Sequence, residues 1–260
     1  MPDQPADPNE WKTYDDFIYG ADTNRLPQSD ALVGQTLEMI GEGRPQLKIT
    51  FEAGGKATMS AGGREWPSGA DVVLAAPDTY FIDLASEGAK ESLTMIVNTK
   101  TRRTMGVHTV IGEETGQDEP RVRQTFAQGS LGGGPVSGEE PAPSRDLIGL
   151  KTLNDYSPNH LYEHNYLSSQ RYCWQCLVGV QQGHGDVDMA TTWKFAEGLY
   201  VFGFREFKIA VGSVYLLDFN EMRSTGKFLG VTADGGTANE KAGAVLSVIS
   251  RAVYPGPQPV

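Results

Sequence analysis

Cysteine is scarce in this chain: 260 residues carry two, Cys173 and Cys176, both inside CWQC. That excludes a disulfide-stapled scaffold, and two thiols alone complete no structural zinc site. Cationic residues are short as well, 22 Lys and Arg against 33 Asp and Glu, for a formal net charge of −11. A chain this acidic is a poor match for nucleic acid, for an anionic membrane surface, or for highly anionic substrates. No apolar run approaches the length of a membrane span, and MPDQPADPNE has neither the basic nor the apolar region of a signal peptide. The expectation is a soluble cytoplasmic protein with no membrane and no nucleic-acid partner. Nucleotide signatures are missing too. No G-x-G-x-x-G follows a strand pattern, TADGGTAN matches no phosphate loop, and no Ser sits in a G-x-S-x-G elbow.

What is present is a succession of short alternating segments punctuated by 31 Gly and 15 Pro, which favours turns over long helices. TLEMI, LKITFE, KATMSA, DVVLAA, TYFIDLA, SLTMIVN and RTMGVHTVI each read as a strand. HLYEHNYL, RYCWQCLVG, MATTWKFA, LYVFGFRE, GSVYLLDF, KFLGVTA and GAVLSVISRAVY resume the pattern further on, while DLIGLKTL and ANEKAGA read as short helical turns. Between the two series, QGSLGGGPVSGEEPAPSRD is too polar and too rich in Gly and Pro to bury a core, and reads as a connector. The expected organisation is an extension at 1–30, with WKTYDDF docked on or capping a barrel; a first barrel at 31–125; a connector at 126–150; and a second barrel at 151–254. A shift of 120 residues superposes Tyr80 on Tyr200, Arg103 on Arg223 and Gly106 on Gly226, so the halves read as copies of one unit. Closing each sheet on itself removes its edges, and a closed sheet of about eight strands leaves room for one small ligand.

SPNHLYEHNYL, RYCWQCLVGVQQGHGDVD and LYVFGFREF, with the matching N-terminal half, resemble the MoaF-like family over roughly residues 30 to 250. The resemblance implies an all-β protein of two tandem lipocalin-like antiparallel β-barrels. A second similarity is to phenolic acid decarboxylases, cofactor-free lyases built on a lipocalin-like barrel. It is carried by Glu197, Gly198, Leu199, Tyr200, Phe204, Arg205 and Glu206. It implies that Glu206 is a general acid assisted by tyrosines. The family's Arg segment is GHGD in this chain, which puts His184 or nothing in that place. In the N-terminal half, GGREW with Arg64 resembles the Arg segment and Glu87 falls near the Glu position, which makes those two the candidates in the other barrel.

The residues themselves leave alternatives. In a strand, Tyr200, Phe202, Phe204 and Glu206 point one way and Leu199, Val201, Gly203, Arg205 and Phe207 the other. Glu206 is then either a carboxylate set in an apolar lumen, where burial raises its pKa, or a solvated residue beginning a turn. HLYEH spelled as a helix is H-x-x-E-H, a zinc-protease-like pattern. As a strand it lines up His160, Tyr162, His164 and Tyr166 on one face, and Tyr172, Trp174 and Cys176 share a face in the next segment. Such a wall of rings and imidazoles suits an aromatic ligand, a metal site within the barrel being the other use. CWQC lacks the helix N-terminus that a redox CxxC needs, and in a strand its thiols fall on opposite faces.

The reading that joins these is a cofactor-independent enzyme, without metal, performing acid–base chemistry of the lyase, decarboxylase, isomerase or hydratase kind on a small aromatic or conjugated molecule. Glu206 would move the proton. His160, Tyr162 and His164 would polarise an oxygen, Trp174, Tyr166, Tyr172, Tyr200, Phe202 and Phe204 would enclose the ring, and His184 or Arg205 would hold an anionic end. A different class, the non-catalytic carrier or sensor, uses the same walls. In a third reading one barrel is catalytic and the other is a packing or dimerisation module; the C-terminal copy is the choice for the active one, and a homodimer is compatible with this.

Overall fold

The structure, a computed structural model, describes residues 11–41, 45–114, 116 and 119–260. A one-turn helix α1 (Tyr14–Ile18) precedes the sheets, its first turn closed by a reciprocal bond pair between Thr13 and Asp16. The first barrel is β1 (Thr36–Gly41), β2 (Leu47–Glu52), β3 (Lys56–Ala61), β4 (Arg64–Ala76), β5 (Thr79–Ala85), β6 (Glu91–Asn98), β7 (Arg103–Ile111) and β8 (Val122–Leu131). Neighbours pair antiparallel in sequence order, and β8 closes on β1 with Met39 opposite Leu131. After the short β9 (Ala142–Pro143) come β10 (Leu150–Ser157), β11 (His160–Tyr166), β12 (Arg171–Val178), β13 (Gly185–Ala196), β14 (Leu199–Arg205), β15 (Val211–Asp218), β16 (Arg223–Val231), β17 (Thr237–Ala242) and β18 (Val245–Arg251). The second ring runs β10 to β16 in order and returns through β18, with β9 added beside β13 and β17 beside β16. Among the described residues no helix is long and apolar enough to cross a membrane.

The two halves repeat one plan. β5, β6 and β7 reappear as β14, β15 and β16 with the same 120-residue offset at every boundary. The turns repeat as well: positive φ at Asp78 and Arg102 recurs at Gly198 and Met222. The fold is therefore two closed antiparallel barrels, as the alternation of the sequence indicates.

Three segments differ from the sequence reading. QTFAQGSL, placed across the end of the first barrel and the start of the connector, belongs to β8, because the ring needs an eighth strand to close and only backbone pairing, not side-chain pattern, marks it. DLIGLKTL is not helical. Its first half is a turn and Leu150 opens β10, whose buried face mixes Leu150, Thr152, Asn154 and Tyr156 and so hides the alternation. TANEKA is β17, an exposed polar strand held by its register with Gly226–Val231.

Side chains separate into three main cores. Leu32, Met39, Ile49, Phe51, Ile82 and Met95 are among those filling the first lumen, an aliphatic plug. The second lumen is aromatic, built on Tyr156, Tyr166, Tyr172, Trp174, Phe202 and Phe204, with Tyr14 and Phe17 of α1 inserted into it. Between the barrels, Val73, Phe81, Ile96 and Met105 of the first meet Leu199, Val201, Val214 and Leu216 of the second. β14 thus has both faces buried along its whole length, the rings of Phe202 and Phe204 inward and Val201 outward, which is why its alternation is apolar on both sides.

Candidate functional site

The second lumen holds a cavity of about 40 Å³, lined by Phe17 and Ala21 from the N-terminal segment, by strands β10, β11, β12 and β16, and by the end of β14. On this measure a single water needs roughly 10–15 Å³, so the space is about three waters' worth. Its mouth is covered by α1: Tyr14 is fully buried and donates its hydroxyl to the Phe228 carbonyl at 3.0 Å, and Phe17 meets the Phe228 ring edge-on. Trp11 stacks on His184 at 5.2 Å and carries the Lys208 ammonium over its other side at 4.8 Å. WKTYDDF is therefore a cap on the second barrel.

Glu206 lies one residue past β14, its amide still paired with the Val211 carbonyl at 3.0 Å, and is 7% exposed. The strand phase set by Phe202 and Phe204 carries it inward, so its carboxyl lines the cavity. Burial, then Asp188 and Asp186, push its pKa well above the usual carboxylate range, so the fold favours the protonated form of this group. Opposite it, β11 is a strand and not a helix, and the period of two sets His160, Tyr162 and His164 on the wall. Burial lowers His160 and pulls His164 down to about 3, so both imidazoles are neutral. Ser157 Oγ sits 3.1 Å from His160 Nδ1, while His164 Nδ1 is buried without a hydrogen-bond partner. Tyr162 donates to Gln181 Oε1 at 2.9 Å, and burial raises its pKa, so it stays a phenol.

Asp188 on β13 ties these parts together. One carboxylate oxygen accepts from Trp174 Nε1 at 2.8 Å and the other from the Phe207 amide at 3.1 Å, so a single side chain fixes the indole and the backbone beside Glu206. Burial lifts it to about 6, the Trp174 bond acting the other way. The lumen thus holds a Glu206 carboxyl whose proton is favoured by burial, neutral imidazoles and phenols, and the Asp188 carboxyl behind Trp174. That set can give a proton, receive one, and hydrogen-bond an oxygen or nitrogen.

The MoaF N-terminal domain matches residues 9–113 and the MoaF C-terminal domain matches residues 141–252. The protein MoaF of Klebsiella aerogenes is 33% identical over 231 residues, covering 83% of this chain and 84% of that one. The chain belongs to the MoaF family. A solved chain from Burkholderia vietnamiensis, described as a candidate beta-lactamase, is 14% identical with a TM-score of 0.35, covering 40% of this chain and 95% of that one. That likeness is too low to carry an argument.

In this MoaF-family chain the predicted residues separate into those on the cavity and those elsewhere. Glu206, His160, Tyr162, His164, Tyr172, Trp174 and Phe204 line it. Tyr166 and Phe202 are lower in the same aromatic core, packed on each other at 5.1 Å. Tyr200 turns its hydroxyl to Asp146 Oδ2 at 2.9 Å, at the end of the barrel. His184 is on the rim beside Trp11 rather than in the lining. Arg205 faces away from the lumen, because strand alternation sends it outward when Glu206 goes inward. It bonds Gln124 of the first barrel at 3.0 Å and Thr191 at 3.1 Å, so it cannot hold an anionic end of a ligand in this cavity. Arg64 and Glu87 are exposed, Arg64 at the start of β4 and Glu87 in a turn, and neither is among the residues that fill the first lumen. Cys176 is buried in the aromatic core and Cys173 is half-buried on the opposite face, and both are free thiols. Tyr156, Gln181 and Asp188 are the members that the sequence did not reveal. Each sits among polar neighbours (LNDYS, QQGHG, GDVDM) where no pattern singles it out.

Proposed function

We propose that the lumen of the second barrel, widened from about three waters' worth of space by displacement of the α1 cap, binds a small aromatic or conjugated molecule and exchanges a proton with it through Glu206. This is acid–base chemistry of the lyase or isomerase kind, needing no cofactor. The observation that supports it most is the placement of a buried carboxyl beside two neutral imidazoles and several phenols in one water-poor cavity. A carboxyl whose pKa is raised by burial is a better proton donor near neutrality, and its conjugate base a stronger acceptor, than a solvated Glu. His160, His164 and Tyr162 are within the same lining and supply hydrogen bonds to the substrate, while the rings of Trp174, Tyr172 and Phe204 hold its plane. Asp188 acts at one remove by holding Trp174 and the backbone at Phe207. The same reading keeps the protein in the cytoplasm, with the first barrel as a packing partner and a small molecule as the ligand.

The test is a panel of enols, phenolic acids and amine-derived aldehydes incubated with the protein, with products followed by mass spectrometry. Glu206→Gln is expected to reduce any turnover found by at least about 100-fold, the scale of a general acid or base. Turnover near that of the wild type would remove Glu206 from the mechanism. Binding without turnover across the panel would favour the carrier reading, to which the dry aromatic walls lend themselves equally.

A further inference from the structure

We propose that the lumen of the second barrel selects a protonated aromatic amine over the alcohol or carboxylate of the same shape. The proposal rests on the reading that this lumen is the ligand site. Its ground is the distribution of charge and of ring faces. Seven of the lining residues are aromatic and none is Lys or Arg. Three cations around it are engaged elsewhere. Arg205 binds Gln124 and Thr191 between the barrels, the Arg171 guanidinium lies over the Phe207 ring at 5.2 Å and acts on Asp188, and the Lys208 ammonium lies over the Trp11 ring at 4.8 Å.

The groups that do face Glu206 are acidic or neutral on every side. Asp188 and Asp186 belong to β13, His160, Tyr162 and His164 to β11, Tyr172 and Trp174 to β12, and Tyr156 to β10. A carboxylate ligand would lose its water and find no counter-charge, with Asp188 already ionised behind Trp174. An ammonium meets the opposite situation. Ring faces attract it, most strongly when it is desolvated, and a cage of aromatics is a known means of holding such a cation. Glu206 completes the cage as the counter-ion that the site lacks when empty.

One consequence can be measured. Burial favours the protonated Glu206 in the free protein, whereas the complex contains an ammonium beside a carboxylate. Binding a cation to the protonated protein therefore yields the ion pair and one proton delivered to the buffer, so affinity rises with pH until the free amine itself loses its charge. In the complex Glu206 is a base, ready to accept a proton from the bound molecule, which connects the preference to the chemistry proposed above.

The experiment is calorimetric titration of the full chain at pH 7 with benzylamine, benzyl alcohol and benzoate, each in phosphate and in Tris, whose ionisation enthalpies differ. The amine is expected to bind at least about tenfold more tightly than the alcohol, with benzoate weaker still. Proton release should accompany amine binding and increase when the titration is repeated at pH 6 and pH 5. In Glu206→Gln, verified as folded by circular dichroism, the proton release should vanish and the amine preference should shrink about tenfold or more. Benzoate binding as tightly as benzylamine, amine binding without proton release, or no amine binding at all would each overturn the proposal. Its failure is separable from that of the proposed function: turnover of an uncharged substrate with no amine preference refutes only the former, and amine binding with no turnover of anything refutes only the latter.

Discussion

Replacing Glu206 by Gln should make the protein more stable, and by a margin that widens as pH rises. In an unfolded chain a Glu carboxyl ionises at about pH 4.3. In the fold, burial and the neighbouring Asp188 and Asp186 hold the proton on far longer. Between those two points the native state carries a proton that the unfolded state has released, so stability falls as pH rises, and the loss stops only when the folded group itself ionises. The limiting slope is about 1.4 kcal/mol per pH unit for one proton. From pH 5 to pH 7 the wild type should thus lose up to about 2.7 kcal/mol that the uncharged, equal-sized Gln does not lose. At about 2–4 °C per kcal/mol for a chain of this size, the gap in Tm should open by several degrees. Asp188, near 6, titrates in the same window and faces the same group, so the two will share the transition and broaden it. The two histidines are common to both proteins and cancel to first order. The assay is urea unfolding of both proteins at pH 5, 6, 7 and 8 at constant ionic strength. Parallel stability profiles would mean that the carboxyl is solvated in the fold, and the description of the lumen would be wrong.

Two other outcomes follow from the packing. Lys227 on β16 is fully buried between the barrels, bonded to Ser92 of β6, and burial depresses its pKa to about 8, with Asp83 pulling the other way. An unfolded Lys keeps its proton to about 10.4, so the wild type gains stability as pH climbs from about 8 to 10; Lys227→Met should forfeit roughly 3 kcal/mol of that rise in guanidinium titrations, and an unchanged rise would show the amine to be solvated. Gly230→Ala would drive a methyl into the Tyr14 ring and against Val211. Overpacking of this kind costs about 1–3 kcal/mol, and because Tyr14 anchors α1, limited proteolysis should cut the segment around residues 11–20 faster; unaltered cleavage would show that α1 is not held there.

Much of the architecture was readable because period-two alternation survives wherever one face is apolar. TYFIDLA and LYVFGFRE declared themselves as strands, and the 120-residue echo between them announced the duplication. Strands whose buried face is polar did not. Thr152 and Asn154 occupy the inside of β10, and the strand was mistaken for a turn of helix. The exposed TANEKA gives no amphipathic signal, and its pairing with β16 decides its shape. At the site, Glu206, His160 and His164 stood out because ionisable groups interrupt aromatic runs. Asp188 matters through two hydrogen bonds to residues distant in the chain, Trp174 and the Phe207 amide, and only the closed ring brings them together. The direction of Arg205 was implied by alternation, yet what it reaches, Gln124 on the first barrel, depends on how the halves dock.

The strand that leads into Glu206 has no solvent on either side, and this gives the first barrel a say in the chemistry of a chamber whose lining it does not supply. Substitutions at Phe81 or Met105, on the far side of that shared partition, would press on or slacken the very rib from which the acidic group hangs. A chain cut down to the C-terminal half would keep the strand residues of the lining but lose Phe17 and Ala21, and would expose Leu199, Val201 and Leu216 to water and leave that rib without its backing. Duplication here has produced a workplace and the buttress that keeps one of its walls in true.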